Sequence, residues 1–486
     1  MHNNSTFPSD SSSTADAPPG VAMTSRKDMP QQWALPLLTR LHFYVGLLVA
    51  PLLLIAAFSG ALYALTPQIE DAVYEHALYT PATGTPLALK DQIDAAAHLI
   101  GGNMRIAAVR PAPAPGTTTR VMYSGPGMGP SEYRAIFIDP ITAQVRGDLN
   151  VYGTSGVLPI RAWLDQFHRS LHLGDAGRLY SELAASWLWI VALGGLVLWV
   201  AKFRRQRLAS NRPAVTYAGP RRHRVRDWHG TLGLWVLIGL LFFSATGLTW
   251  SQWAGGNISV LRTYYGWGTP SLATGLGNAS VVVPGMHAHH EHQAPMQSAG
   301  NAYESTMFDA VLATARKAGI DAGKLEIRPP ANPDKAWTVT EIDRSWPTQV
   351  DAVAIDPRNL AIIDQTRFAD FPIAAKLTRW GIDAHMGALF GLANQLVLIF
   401  FAGGLVTMTV WGYMMWWRRR PTRNMARDSH GSLLALLGKA PRAARAAIAA
   451  GAALAGWFLP LMGISLLLFL LFDICLRRYS AARPIR

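Results

Sequence analysis

The sequence contains 14 histidines, and five of them stand where long apolar runs begin. His42 follows Arg40-Leu41 at the start of the first run, and His229 follows Arg226-Asp227-Trp228 at the start of the third. His168 and His172 precede the second run, and His385 precedes the fourth. Neutral imidazole is the commonest metal ligand, and ionisable groups at membrane depth are costly enough that they usually serve a function. One boundary histidine alone would be an ordinary interfacial side chain. Several that match in pairs, one from each of two helices, suit a metal gripped between those helices. His168 and His172 lie four apart, on one helical face, and both remain candidates to partner His385. Gly46 and Gly233 follow His42 and His229 by one turn, leaving room for a flat group or for close helix packing. Arg40 and Arg226 on one side, and Arg161, Arg169 and Arg379 on the other, are cations for a bound anion or for lipid headgroups.

A second cluster is of another kind. Met286-His287-Ala288-His289-His290-Glu291-His292, within a loop at 286–296, is a short His-rich tract. Such tracts bind metals, so His287, His289, His290 and His292 read as an adaptable metal-collecting loop or as an insert without a role. His76, His98, His223 and His430 have no matching partner.

The elements that must position these residues are membrane spans. Half the chain is apolar and 15% is charged, against about 25% charged in an ordinary soluble domain. A span needs about 20 apolar residues, and four are expected: 37–65, 179–201, 229–253 and 379–417. A fifth segment, 446–476, is either another span or a hairpin broken at Pro460. Residues 1–36 read as a disordered cytoplasmic tail rather than a cleavable signal, and 477–486 as a terminal tail. The net charge of +14 is concentrated. The connector 202–228 holds nine Lys or Arg, and 418–445 opens on Arg418-Arg419-Arg420. The positive-inside rule puts both in the cytoplasm and the long connectors on the other side. The basic balance thus reports orientation and lipid contact, not nucleic acid. With Cys475 as the single cysteine, an intrachain disulfide, a cysteine-held iron–sulfur cluster and a CxxCH haem attachment are excluded.

The chain reads as a tandem duplication. RLHFYVGLLVAPLLLIAAFSGALY aligns with DWHGTLGLWVLIGLLFFSATGLTW, matching His42 with His229, Gly46 with Gly233, Ser59 with Thr246, and Gly60 with Gly247. LHLG leading to GGLVLW aligns with AHMG leading to GGLVTM, which matches His172 with His385 after four extra residues. The long connectors, 66–160 and 254–378, each show a helical segment and then strand-like runs turning at Asp139-Pro140 or Asp356-Pro357. The expected fold is a mainly α integral membrane protein. It has a duplicated four-span core, two small α+β domains, an interfacial helix at 161–178 and a C-terminal hydrophobic helical segment.

The paired HxxxG spans, the IDP turns, FHRSLHLG, ELAASWLW and GIDAHMGALFG resemble the PepSY-associated transmembrane family. Members of that family include inner-membrane ferric-siderophore reductases. The likeness covers most of 37–420. It implies two haem b groups, one near each face, and periplasmic PepSY domains at 66–160 and 254–378. The family pattern F-H-R-x-L falls on His168. On this reading His42 and His229 hold the cytoplasmic-side haem, and His385 with His172 or His168 holds the periplasmic one. Low-spin haem iron takes two axial ligands. All these histidines read as lying near helix N-termini, where the dipole disfavours imidazolium. The arginines would meet propionates.

The expected activity is transmembrane electron transfer that reduces a periplasmic ferric chelate, a ferric siderophore by resemblance, in a bacterial inner membrane. No dinucleotide fingerprint or P-loop is evident, so electrons must come from quinol, a soluble reductant or a reductase partner. The alternatives are a metal or haem permease, which would need a polar path at the midplane, and a PepSY-based binding or regulatory protein.

Overall fold

Pro51 bends the first apolar segment. In the computed structural model, α1 (Met29–Leu48) and α2 (Ala50–Ala64) meet at 57° instead of forming one straight span. Proline lacks an N–H and crowds the carbonyl four residues back. That carbonyl, Leu47, accepts a 2.7 Å hydrogen bond from the Tyr413 hydroxyl instead. Residues 29–36, expected in the tail, are helical. The structure describes residues 29–101, 104–129, 131–153, 156–210, 222–276, 304–419 and 433–481. The His-rich tract 286–296 lies outside them.

After α2 come α3 (Thr66–Val73), α4 (Glu75–Leu78) and α5 (Leu89–Ile100). Four antiparallel strands follow: β1 (Arg105–Arg110), β2 (Thr119–Ser124), β3 (Glu132–Ile138) and β4 (Val145–Tyr152). Next are α6 (Pro159–Ser170), the long α7 (Gly174–Ser210), α8 (Arg222–Trp250) and α9 (Trp253–Tyr264). The second connector repeats the pattern with α10 (Thr306–Lys317), β5 (Leu325–Arg328), β6 (Trp337–Glu341), β7 (Ala352–Ile355) and β8 (Ile362–Thr366). The chain then runs through α11 (Ile373–His385), α12 (Gly391–Arg419), α13 (Leu433–Gly438), α14 (Arg442–Phe458) and α15 (Pro460–Ala481).

The strands of both connectors join one sheet, in the order β4-β3-β2-β1-β5-β6-β7-β8. Its two halves meet antiparallel where Val109 faces Ile327. α5 and α10 cover one face, burying Ile93, Val121 and Ile136 with Phe308, Trp337 and Val353. The helices are also linked directly: the Asp309 carboxylate accepts the Leu89 and Lys90 amides at 2.8 and 2.9 Å, satisfying the open N-terminus of α5. The two IDP turns are alike in detail. Asp139 and Asp356 each receive the amide four residues on at 2.9 Å. That residue, Ala143 or Leu360, is left-handed at φ 58° or 59°.

Three helices, within α7, α8 and α12, are each long and apolar enough to cross a membrane, and the bent pair α1–α2 makes a fourth candidate. The expected fourth span, 379–417, is split. Residues 379–385 belong to α11, and the crossing helix begins at Gly391 after a turn with Gly387 at φ 75°. The bundle core packs Val45, Leu53 and Ala57 against Ala184, Trp187, Val236, Leu240 and Ala402. α8 and α12 cross closely because Gly239 has no side chain: a Cβ there would lie 2.2 Å from the Phe401 ring. At the C-terminus, α14 and α15 fold back on one another at Pro460, with Gly456 against Gly463. α15 docks on the bundle through Ser465, which accepts the Trp187 indole N–H at 2.8 Å, and through buried Asp473.

Candidate functional site

Five boundary histidines were candidates, and the structure sorts them by helix geometry. His168 sits in the last turn of α6 and His385 is the final residue of α11. Their ring centroids are 6.4 Å apart. A metal–imidazole bond is about 2 Å and the ring centre lies about 1 Å further back, so two imidazoles on opposite sides of one metal have centroids about 6 Å apart.

The second ring nitrogens are clamped in matching ways. His168 Nδ1 lies 2.9 Å from Ser59 Oγ, and His385 Nδ1 lies 2.7 Å from Thr246 Oγ1. Each hydroxyl donates its own proton to the carbonyl four residues back, Ile55 or Phe242, at 2.7 Å. With the hydroxyl proton on that carbonyl, the imidazole proton sits on Nδ1 and Nε2 keeps its lone pair. Metal-bound histidines commonly have their other nitrogen fixed in this way. Phe243 and Trp250 stand edge-on to His385 at 5.5 and 5.4 Å, keeping the ring in an apolar wall. Gly60 leaves just enough space for His168, since a Cβ there would sit 3.2 Å from its Cε1.

His172 is elsewhere. It lies beyond α6 in a left-handed turn (φ 57°) and packs on Trp163 at 4.9 Å. The sequence alignment matched His172 with His385 through LHLG and AHMG, with four extra residues before the downstream glycines. The turn at Leu171, His172 and Gly174 breaks that match, and His168 is the residue paired with His385. The expected place near a helix N-terminus also fails for His42, past the middle of α1, and for His168 and His385. His168 and His385 lie at C-termini of short helices, where the dipole favours a cation. Their neutral state rests on burial and the hydroxyl clamps.

On the opposite side of the bundle, His42 and His229 are close enough to interact electrostatically. His229 Nδ1 lies 3.1 Å from the Met408 carbonyl, so it too must donate and leave Nε2 free. His42 rests on the glycine pair of α7, with its Cε1 3.3 Å from a Cβ placed on Gly195. Its Nδ1 is buried without a well-formed hydrogen bond, although the Val191 carbonyl acts on it. Gly46 has open space beside it, whereas the space at Gly233 is met by the Met408 methyl, 3.0 Å from a Cβ there.

These findings join a family comparison. Residues 39–419 match the family model described as PepSY-associated TM region. The chain belongs to the PepSY-associated transmembrane family. No curated protein matches it. The family region ends before α13–α15.

The expected arginines are all engaged. Arg161 pairs with Glu70, Arg379 with Asp383 at 2.9 Å, and Arg169 with Asp165 at 3.8 Å. Arg226 lies 3.9 Å from Asp227. Arg40 donates to Tyr44 at 3.0 Å and lies 3.6 Å from Asp473, the buried acid of α15. Sequence reasoning matched Ser59 with Thr246 but missed their role. Their fixed position 17 residues after the paired histidines was the available signal. Among the described residues, no three metal-ligating side chains converge, so each site offers two imidazoles.

Proposed function

We propose that this member of the PepSY-associated transmembrane family is a transmembrane electron carrier. It would hold two haem b groups and reduce a ferric chelate on the sheet side. The observation that carries the reading is the sheet-side pair: two imidazoles, 6.4 Å apart, each clamped at Nδ1 by an aligned hydroxyl. Two free Nε2 atoms and no third protein ligand suit an iron whose other positions a macrocycle fills. The open space at Gly46 suits a flat ring beside His42. We read the matching clamps and IDP turns as the mark of a tandem duplication, and the sheet as two fused PepSY units facing the periplasm.

When bound, each haem supplies one-electron redox chemistry, one electron converting one Fe(III) to Fe(II). The chain's residues then have separate tasks. His168 and His385 would hold one iron, and His42 and His229 the other. Ser59 and Thr246 fix tautomer and ring orientation. Phe243 and Trp250 exclude water from the His385 side. The electron donor would act on the basic-connector side, as a quinol, which yields two electrons and two protons, or as a soluble reductant.

The test is haem quantification with a reduced-minus-oxidised spectrum of protein from haem-replete cells. Two haems per chain and a dithionite-dependent shift are expected; colourless protein overturns the reading. Uptake of iron into vesicles in the absence of any reductant would instead support a permease.

A further inference from the structure

The sheet face turned away from α5 and α10 carries charge at its centre, where an ordinary sheet would bury apolar side chains. Arg110 ends β1 and Arg328 ends β5, on either side of the seam between the halves. Both grip one carboxylate: Arg110 Nε donates to Glu326 at 2.7 Å, and Arg328 Nε at 2.5 Å. Arg120, opposite Arg110 on β2, has no carboxylate within ion-pair reach among the described residues. It donates to the Gly156 carbonyl at 2.7 Å and stacks over Phe137 at 4.8 Å.

Further arginines close this region from the membrane side. Arg161 comes from α6 and is paired with Glu70 of α3. Arg344, from the loop after β6, touches Met386 Sδ at 3.5 Å and lies 3.9 Å from Asp383, which Arg379 also holds. Electrostatic coupling ties these groups into one cluster. Arg120 feels Arg110, Glu70, Glu326 and Arg161, while Arg344 feels Arg379, Asp383 and Arg110. Six arginines thus face three carboxylates, Glu70, Glu326 and Asp383.

Exposure shows which side of the cluster is open. The three carboxylates are 8%, 5% and 0% exposed, whereas Arg110, Arg161, Arg328, Arg344 and Arg379 keep between 13% and 24%. The acids are more deeply buried than the guanidinium groups, so what this cluster shows to solvent is positive charge. Burial, then the neighbouring Arg110, pulls Arg120 down to about 9, and burial, then Arg379, pulls Arg344 down to about 10. Both stay charged at neutral pH. Arg120 sits beside Arg110 with no carboxylate of its own, and the six arginines outnumber the three acids, an imbalance that an anion relieves. The cluster also adjoins the sheet-side histidines. Arg161 is two turns before His168, about 10 Å along one helix, and Arg344 touches the residue after His385.

We propose that the cluster of Arg110, Arg120, Arg161 and Arg344 binds an anionic, carboxylate-bearing ferric chelate and sets the charge class of substrate presented to the His168–His385 pair. This rests on the reductase reading above. Carboxylate could reach these arginines from two sources, a diffusible chelate or the propionates of a resident haem, and the test separates them.

The experiment uses full-length, haem-loaded protein in neutral-lipid nanodiscs. Gallium(III) citrate serves as a redox-inert probe in titration calorimetry, and a neutral ferric trihydroxamate as the control. Wild type should bind gallium citrate, with affinity falling steeply as salt rises. Arg120→Gln and Arg344→Gln should each weaken it about tenfold or more, while Arg120→Lys recovers part of the loss. Haem content and spectrum should stay unchanged in all three. Unchanged citrate binding with lost haem or a shifted spectrum in Arg120→Gln assigns the arginines to propionates and overturns the proposal. Equal binding of the neutral chelate, insensitive to both substitutions, also overturns it. Haem-free wild type that still binds gallium citrate would sink the reductase reading and leave the anion site standing.

Discussion

At the sheet-side pair each imidazole Nδ1 meets a hydroxyl, Ser59 or Thr246. At the far-side pair His229 meets a backbone carbonyl, and His42 meets nothing well formed. A hydroxyl on a neighbouring helix fixes ring angle and tautomer but is open to substitution. A carbonyl cannot be mutated away. Packing differs too. The sheet-side histidines end short helices and lean on aromatics, whereas His42 lies within α1 against bare glycines of α7. The comparison separates two ways to orient an imidazole: side-chain clamping at one pair, backbone and void at the other.

Four experiments would break or sharpen that contrast. The largest effect should come from the ligands themselves. His168→Ala or His385→Ala should lower bound haem from two per chain to one, and His42→Ala or His229→Ala should remove the other, each read by pyridine-haemochrome assay. Loss of both haems from any one substitution would show that the pairs are not independent. Next come the clamps. Ser59→Ala or Thr246→Val should loosen only the sheet-side group, by about 10–100-fold in affinity, measured as haem retention on dilution. His172→Ala should leave both groups in place.

Space gives a third contrast. Gly60→Ala must push against His168 Cε1, 3.2 Å away, so it should disturb the sheet-side spectrum. Gly46→Ala meets no atom within 4 Å in the protein alone. If Gly46→Ala nevertheless lowers far-side haem content, that space belongs to the macrocycle; if it changes nothing, Gly46 serves no ligand.

The smallest effect lies in the paired IDP turns. At Asp356 the Arg358 side chain and amide hold the carboxyl down to about 2. At Asp139 burial acts the other way, but the Thr80 hydroxyl and two backbone amides outweigh it and hold the carboxyl low. A carboxyl lowered in the folded state stabilises above its unfolded pKa, about 4, and that contribution is lost as pH falls through the folded value. Thermal melts between pH 5 and 2.5 should show Asp139→Asn losing less stability on acidification than wild type.

Much of this was legible in the sequence. The apolar runs, the paired histidines and the match of Ser59 with Thr246 follow from composition and spacing. The choice of His168 over His172 did not, because a left-handed turn interrupts the register between helix end and downstream glycines. Pro51 was an available signal for the bend that the single-span reading of 37–65 passed over, and the partner that satisfies Leu47, Tyr413, lies 366 residues away. The arginine cluster was hidden for the same reason. Its members come from β1, β2, β5, α6, α11 and a loop, and only the joined sheet brings them together. The C-terminal hairpin's hold on Arg40 through Asp473 carried no local signal at all.

The seam between β1 and β5 has a mechanical meaning. A carrier that alternates access rocks one half of its bundle against the other around a midplane site. Here such rocking would part Val109 from Ile327 and pull Arg110 from Glu326, because both contacts cross the line between the halves. Because one sheet carries strands from both connectors, any such rocking has to break these contacts first.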